Sequence, residues 1–232
     1  MTLINRHKVR RSTAALMWIL FFVFTILVKN IDVKAIGPSG SMVGFASLNG
    51  AVAGLFGYNE LFYKLSGYLG YLALLVDAAF ALLALLQWIT RKRLGKIDKN
   101  LLYLMFFYAL IITLYIAFMF VVVNYRPVIL PDEGGLESSY PSSHTMLAVA
   151  SCYTAVLNLP TLLRKEKSRK IIGACLTVLG LLVIVGRILS GVHWFTDIFG
   201  ALILVSAAIM TYLAALTDGK TGGRYSGKRV AK

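Results

Sequence analysis

Long apolar runs separated by short polar connections dominate the chain. Six runs read as membrane helices, at about 12–30, 66–90, 101–124, 143–160, 171–189 and 193–216. A helix needs roughly 20 mostly apolar residues to cross the hydrocarbon of a bilayer. The pattern predicts an all-α integral membrane protein, a six-transmembrane helical bundle with no separate soluble domain. Around the membrane domain at 12–216, a basic cytoplasmic N-terminus is expected over 1–11 and a basic disordered tail over 217–232.

Composition strengthens this reading. Hydrophobic residues make up 58% of the chain and charged residues 15%. An ordinary soluble domain is nearer half apolar and a quarter charged. The opening "NRHKVRR" followed by "STAALMWILFFVFTILV" has the layout of a secretory signal. No small-x-small cleavage pattern follows, so a retained first helix is expected, with a cleaved signal as the alternative.

The net charge of +14 raises nucleic-acid binding as a function class, but its distribution argues against it. Of 24 basic residues, 19 lie before the first run, between the second and third, between the fourth and fifth, and after the sixth. In a six-span chain these four places share one side, and the positive-inside rule makes that side cytoplasmic. Both termini are then cytoplasmic. Topology and anionic inner-leaflet lipid account for the charge, so no nucleic-acid partner is expected. A multi-pass plasma-membrane protein is the location implied.

The three remaining connections, 31–65, 125–142 and 190–192, fall on the outer side, and so do the polar constellations. Arg126 in "NYRP" and Arg187 in "GRILSGVHWFTD" are basic residues beside the last two of these connections. An arginine at a membrane edge snorkels, pairs with an anion or lines a wet cavity. Two such forks suit a phosphate; two interfacial anchors are the plainer reading. Ser142, Ser143 and His144 stand at the start of the fourth run, with Pro141 suited to a first helical turn. A helix N-terminus with serine hydroxyls can hold an anion, or the serine can simply cap the helix. His193 and Asp197 are four apart in a helical stretch. There a carboxylate could orient the imidazole as base or nucleophile, or the pair could be a polar helix contact.

Taken together, Arg-Pro at 126–127, Pro-Ser-Ser-His at 141–144 and Arg-x5-His-x3-Asp at 187–197 resemble the three-part signature of the type 2 phosphatidic acid phosphatase/haloperoxidase superfamily. The membrane branch of that family carries Lys-x6-Arg-Pro, Pro-Ser-Gly-His and Ser-Arg-x5-His-x3-Asp. The resemblance spans 119–197 and the last four runs. It implies a lipid phosphatase acting through a phosphohistidine without metal or other cofactor, and the charge pattern sets its site on the outer face. His193 would be the nucleophile, Asp197 its orienting partner, and His144 the acid and then the base. Arg126, Arg187, Ser142 and Ser143 would bind phosphate. Undecaprenyl diphosphate, phosphatidic acid and phosphatidylglycerol phosphate are substrates of the implied kind.

This chain departs from the signature at three positions: Met119 replaces the lysine, Ser143 the glycine, and Gly186 the serine. Met119 keeps two alternatives open, a phosphotransferase with the same intermediate and a non-catalytic relative that binds lipid phosphate. A transporter is a third, disfavoured because the polar residues gather at one face rather than mid-membrane.

Other features have simpler expectations. Residues 36–57 are glycine-rich and read as an outer interfacial or re-entrant stretch; "GPSGS" lacks the Gly-Lys-Ser/Thr of a phosphate loop. Asp132, Glu133 and Glu137 are expected to face water, since acids repel a phosphate substrate. Tyr58, Tyr63, Tyr68 and Trp194 fit interface belts. Cys152 and Cys175 read as small buried residues without chemistry. Asp77 is an intramembrane acid with no partner legible in the sequence.

Overall fold

A computed structural model describes residues 3–130 and 134–226, with side chains from 8 to 130 and from 134 to 217. Asp132, Glu133 and residues 227–232, which include part of the expected disordered tail, lie outside the described residues.

The chain is all-helical. The helices are α1 (Leu3–Asn30), α2 (Ala46–Phe56), α3 (Glu60–Arg91), α4 (Lys99–Phe120), α5 (Ser143–Leu162), α6 (Glu166–Leu189) and α7 (Phe195–Ser226). All but α2 contain a segment long and apolar enough to cross a membrane, matching the six expected spans.

The spans differ in how they meet lipid. In α5 and α7, 56% and 61% of the apolar window is buried inside the bundle, against 17–22% in the others. These two helices form the centre, with α1 and α4 against α7, and α3 and α6 against α5. The outer helices present residues such as Leu75, Phe106, Ile116 and Leu181 outward, as a lipid solvent requires. The central helices pack through small residues, including Ala148, Ala155, Ala201 and Ala208, which let backbones approach. Cys152 is buried, but Cys175 is exposed on α6, contrary to expectation; it lies on the outward face of an outer helix.

Residues 36–57 are partly helical. α2 docks near the start of α7, where Asn49 is fully buried. Its amide nitrogen donates to Thr196 Oγ1 (2.9 Å) and the Gly44 carbonyl (2.8 Å), and its amide oxygen accepts from Thr196 N (3.1 Å). A side chain from another helix thus satisfies one of the free N–H groups at the α7 N-terminus.

Candidate phosphate-binding site

The site forms at the end of the bundle opposite the basic connections, where α5 and α7 begin and α4 and α6 end. α4 stops at Phe120, earlier than the expected end at 124, and residues beyond it run as irregular chain. That chain is anchored. Tyr125 and Ser138 form an isolated antiparallel bridge, with Arg126 N donating to the Glu137 carbonyl (2.9 Å) and Ser139 N to the Asn124 carbonyl (2.9 Å). Arg126 and Glu137 therefore face each other on adjacent strands of backbone. Arg126 Nε lies 3.1 Å from Glu137 Oε2. The Glu137 side chain is 42% exposed, so it faces water as expected, and the backbone bridge also sets it beside the arginine.

α7 begins at Phe195, so His193 sits in the preceding turn rather than in the helix as expected. The turn has a physical cause. Asp197 Oδ2 accepts from Trp194 N (2.9 Å), so the carboxylate two residues into the helix reaches back to the residue just before it. This is half of a capping box. Gly191 makes the turn tight: its φ is +65°, and a Cβ there would fall 1.8 Å from the Gly57 carbonyl oxygen. Trp194, expected in an interface belt, is instead buried, and its indole N–H donates to the Tyr125 carbonyl (2.7 Å). A buried indole needs such an acceptor.

Asp197 is fully buried. Besides Trp194 N, its carboxylate accepts from Asn124 Nδ2 (3.4 Å), and its backbone carbonyl accepts from Ser142 N (3.0 Å). His193 Nδ1 lies 3.7 Å from Asp197 Oδ2, an ion-pair distance longer than a hydrogen bond. Neither imidazole nitrogen has a hydrogen-bond partner among the described residues. Burial, then the positive charges of Arg126 and Arg187, hold the His193 imidazole well below its ordinary basicity. Both effects favour the uncharged ring over the protonated one.

α5 starts at Ser143 with Ser142 as its N-cap, so Pro141 lies one residue before the cap rather than in the first turn. Ser142 is fully buried, and its hydroxyl is engaged with Thr145 N (3.4 Å) and Thr145 Oγ1 (3.0 Å). Ser143 is the serine on the open side.

Arg187 is 1% exposed, and its guanidinium carbon lies 5.3 Å over the Tyr63 ring. A cation–π contact stabilises a desolvated arginine by about 2 kcal/mol. Its Nε and Nη1 have no hydrogen-bond partner among the described residues. Buried donors of this kind need an acceptor, and an anion is one.

A cavity of about 330 Å³ opens here, with Arg126, Ser143, His193, Glu137 and Met119 in its wall. Leu114, Tyr115 and Phe118 of α4 continue the wall as an apolar flank. Arg126, Ser143 and His193 are thus brought to one cavity. His144 and Arg187 stand outside its lining, against α3: His144 Cδ2 lies beside Gly70, and Arg187 Nη2 beside Gly67. His144 remains within electrostatic reach of Arg187, His193 and Arg126.

The residues that sequence reasoning missed are the supports, Asn49, Asn124 and Ser139. Asn124 is part of the quoted "NYRP", and its burial between two turns is a tertiary fact that no local pattern carries.

The residues fit phosphoryl transfer: a desolvated imidazole, a carboxylate behind it, and guanidinium and helix N-terminal donors around it. No group of three or more metal-ligating side chains occurs among the described residues.

Known proteins give the same picture of the family. The chain belongs to the PAP2 superfamily, whose model matches residues 100–220. Among solved structures, it resembles a transmembrane PAP2-type phosphatidylglycerolphosphate phosphatase from Bacillus subtilis, with 20% identity over 89% of this chain and 96% of that one, at a TM-score of 0.52. Aquifex aeolicus LpxE matches at 24% identity over 72% of this chain and 94% of its own, with a TM-score of 0.40. No curated protein matches the sequence.

Proposed function

We propose that this PAP2-superfamily chain is a membrane phosphatase that hydrolyses a lipid phosphate or diphosphate through a phosphohistidine on His193. One observation carries the reading. His193 lines the same cavity as Arg126 and Ser143, while its Nδ1 faces the buried carboxylate of Asp197.

That arrangement leaves Nε2 for the substrate. The Nε2 lone pair attacks phosphorus as the P–O bond to the leaving group breaks. His144, protonated, gives its proton to the departing oxygen. A water then attacks the phosphohistidine and gives its proton to His144, and the P–N bond breaks to free phosphate and His193. Asp197 holds the Nδ1 proton and steadies the charge that grows on the ring. The 3.7 Å separation shortens once that charge develops. Arg126, Arg187, and the Ser142/Ser143 helix start stabilise the equatorial oxygens of the transition state.

The flank of Leu114, Tyr115 and Phe118 supports a substrate whose tail stays in the bilayer. The fold shared with a phosphatidylglycerolphosphate phosphatase is in keeping with such a lipid. The basic connections support a plasma-membrane topology with cytoplasmic termini and the site facing outward. Met119 in the cavity wall favours a second reading, a relative that binds lipid phosphate without turning it over.

The test is phosphate release by purified protein in mixed micelles, with EDTA present, over a panel of lipid phosphates and diphosphates. Release from wild-type protein and none from His193→Ala supports the proposal. No release from any lipid by folded wild-type protein favours the binding reading.

A further inference from the structure

Asp77 is an intramembrane acid remote from the cavity lining. Its surroundings give it a task. The inward residues of α3 are Ser66, Gly70, Ala73, Phe80 and Ala84, and Asp77 falls between Ala73 and Phe80. These positions alternate four and three residues apart, the heptad spacing of a helix seam. Most of the seam is small, so α3 can approach its neighbours closely. A small, smooth seam leaves one helix free to slide along another, because each step offers a similar fit.

Asp77 removes that freedom. Ser151 Oγ of α5 donates to Asp77 Oδ2 at 2.6 Å, with the Leu147 carbonyl, 2.8 Å away, as the competing acceptor for its one proton. The Tyr108 hydroxyl of α4 lies beside the same carboxylate. The acid thus ties α3 to α5 with α4 at its back. A single polar residue in an apolar seam commonly sets register at some cost in stability.

The register matters one heptad away. Asp77 is seven residues after Gly70, and Ser151 is seven residues after His144. The Asp77–Ser151 bond and the Gly70–His144 contact are therefore the same step of the α3–α5 seam, two helical turns apart. At Gly70 the fit is close: a Cβ there would stand 3.3 Å from His144 Cδ2. On the other flank, Gly67 stands beside Arg187 Nη2. A slip of α3 by one residue would put a side chain where Gly70 now admits the imidazole.

We propose that Asp77, through Ser151, is a positioning residue that sets the α3–α5 register holding His144 in place. The inference rests on the role given to His144 above, and its test separates the two.

The first arm uses no turnover. Protein labelled at its three histidines gives three ring signals, and His144→Ala identifies one of them. In Asp77→Ala the His144 signal moves, whereas in Asp77→Asn, which keeps a hydrogen-bond acceptor, it stays. If Asp77→Ala does not fold, Ser151→Ala removes the donor instead and moves the same signal. A His144 signal unchanged in the folded Ala variants overturns the proposal.

The second arm reads bond cleavage in the first turnover. A lipid alkoxide leaves only with a proton from His144, but nitrophenolate leaves without one. Asp77→Ala slows cleavage of the lipid phosphate by up to about a hundredfold and that of nitrophenyl phosphate far less. In His144→Ala the same change adds little. Equal losses on both substrates, or additive losses with His144→Ala, overturn the inference. Wild-type protein that releases no phosphate contradicts the phosphatase reading, and the histidine signals still decide the register.

Discussion

Gly186 and Ser66 touch so closely that a Cβ on Gly186 would come within 2.8 Å of Ser66 Cβ. The family signature has serine where this chain has Gly186. Here α3 supplies the side chain at that place, with Ser66 Oγ donating to the Phe62 carbonyl (2.6 Å). Gly186→Ser therefore overpacks the α3–α6 seam instead of restoring a motif. The expected cost is about 1–3 kcal/mol of stability. Adding Ser66→Gly recovers most of it, as thermal unfolding in detergent would show. Equal stability of Gly186→Ser and wild type would contradict the contact.

Asp197 both caps α7 and faces His193, and Asn keeps much of the first role. Asp197→Asn is expected to leave folding intact and slow phosphate release by about 10²–10⁴-fold. Asn124→Ala, which removes a donor to the carboxylate, lowers activity less. Steady-state assays on the three proteins test the order wild type, Asn124→Ala, Asp197→Asn.

Met119 stands in the cavity wall with Arg126 and Glu137, so a cation there would face the same anion. Met119→Lys should tighten inhibition by inorganic phosphate or vanadate several-fold, on the order of 1 kcal/mol for an added partly exposed charge. Unchanged inhibition would mean that another group already supplies that charge.

The depressed basicity of His193 has a consequence for stability. Its folded-state value lies well below the ordinary 6.5 because of burial and then Arg126 and Arg187. Below that ordinary value the unfolded chain binds a proton that the folded site refuses, so acid favours unfolding. The stabilising difference is complete above 6.5 and shrinks as pH falls beneath it. Thermal unfolding against pH should therefore slope more steeply in wild type than in His193→Gln; parallel curves would contradict this.

The membrane fold was legible because apolar length is a direct physical requirement, and the signature residues stood out because polar groups are rare in the runs. The start of α7 was not legible. Asp197 reads equally well inside a helix or as its capping residue, and only the packing of Asn49 and Trp194 decides. Glu137 was read only in part, for a related reason. Charge alone put it in water, but the Tyr125–Ser138 bridge sets it against Arg126. Arg187 came from its motif, whereas its seat over Tyr63 depends on α3, more than a hundred residues away.

Sidedness can be checked with cysteines in a background lacking Cys152 and Cys175. Gly135 and Lys167 are both exposed, at opposite ends of the bundle. On intact cells an impermeant thiol reagent should label Gly135→Cys and spare Lys167→Cys. The reverse pattern would turn the site to the cytoplasm.

The most direct measurement is to trap the covalent intermediate. Lipid phosphate carrying radioactive phosphorus is mixed with excess enzyme, quenched within one turnover in alkali, and the protein is counted. Label that survives alkali, is lost in acid, maps to His193 and is missing from His193→Ala is the expected result. Phosphate release with no such label, or with label unaffected by His193→Ala, would contradict a phosphohistidine at this site.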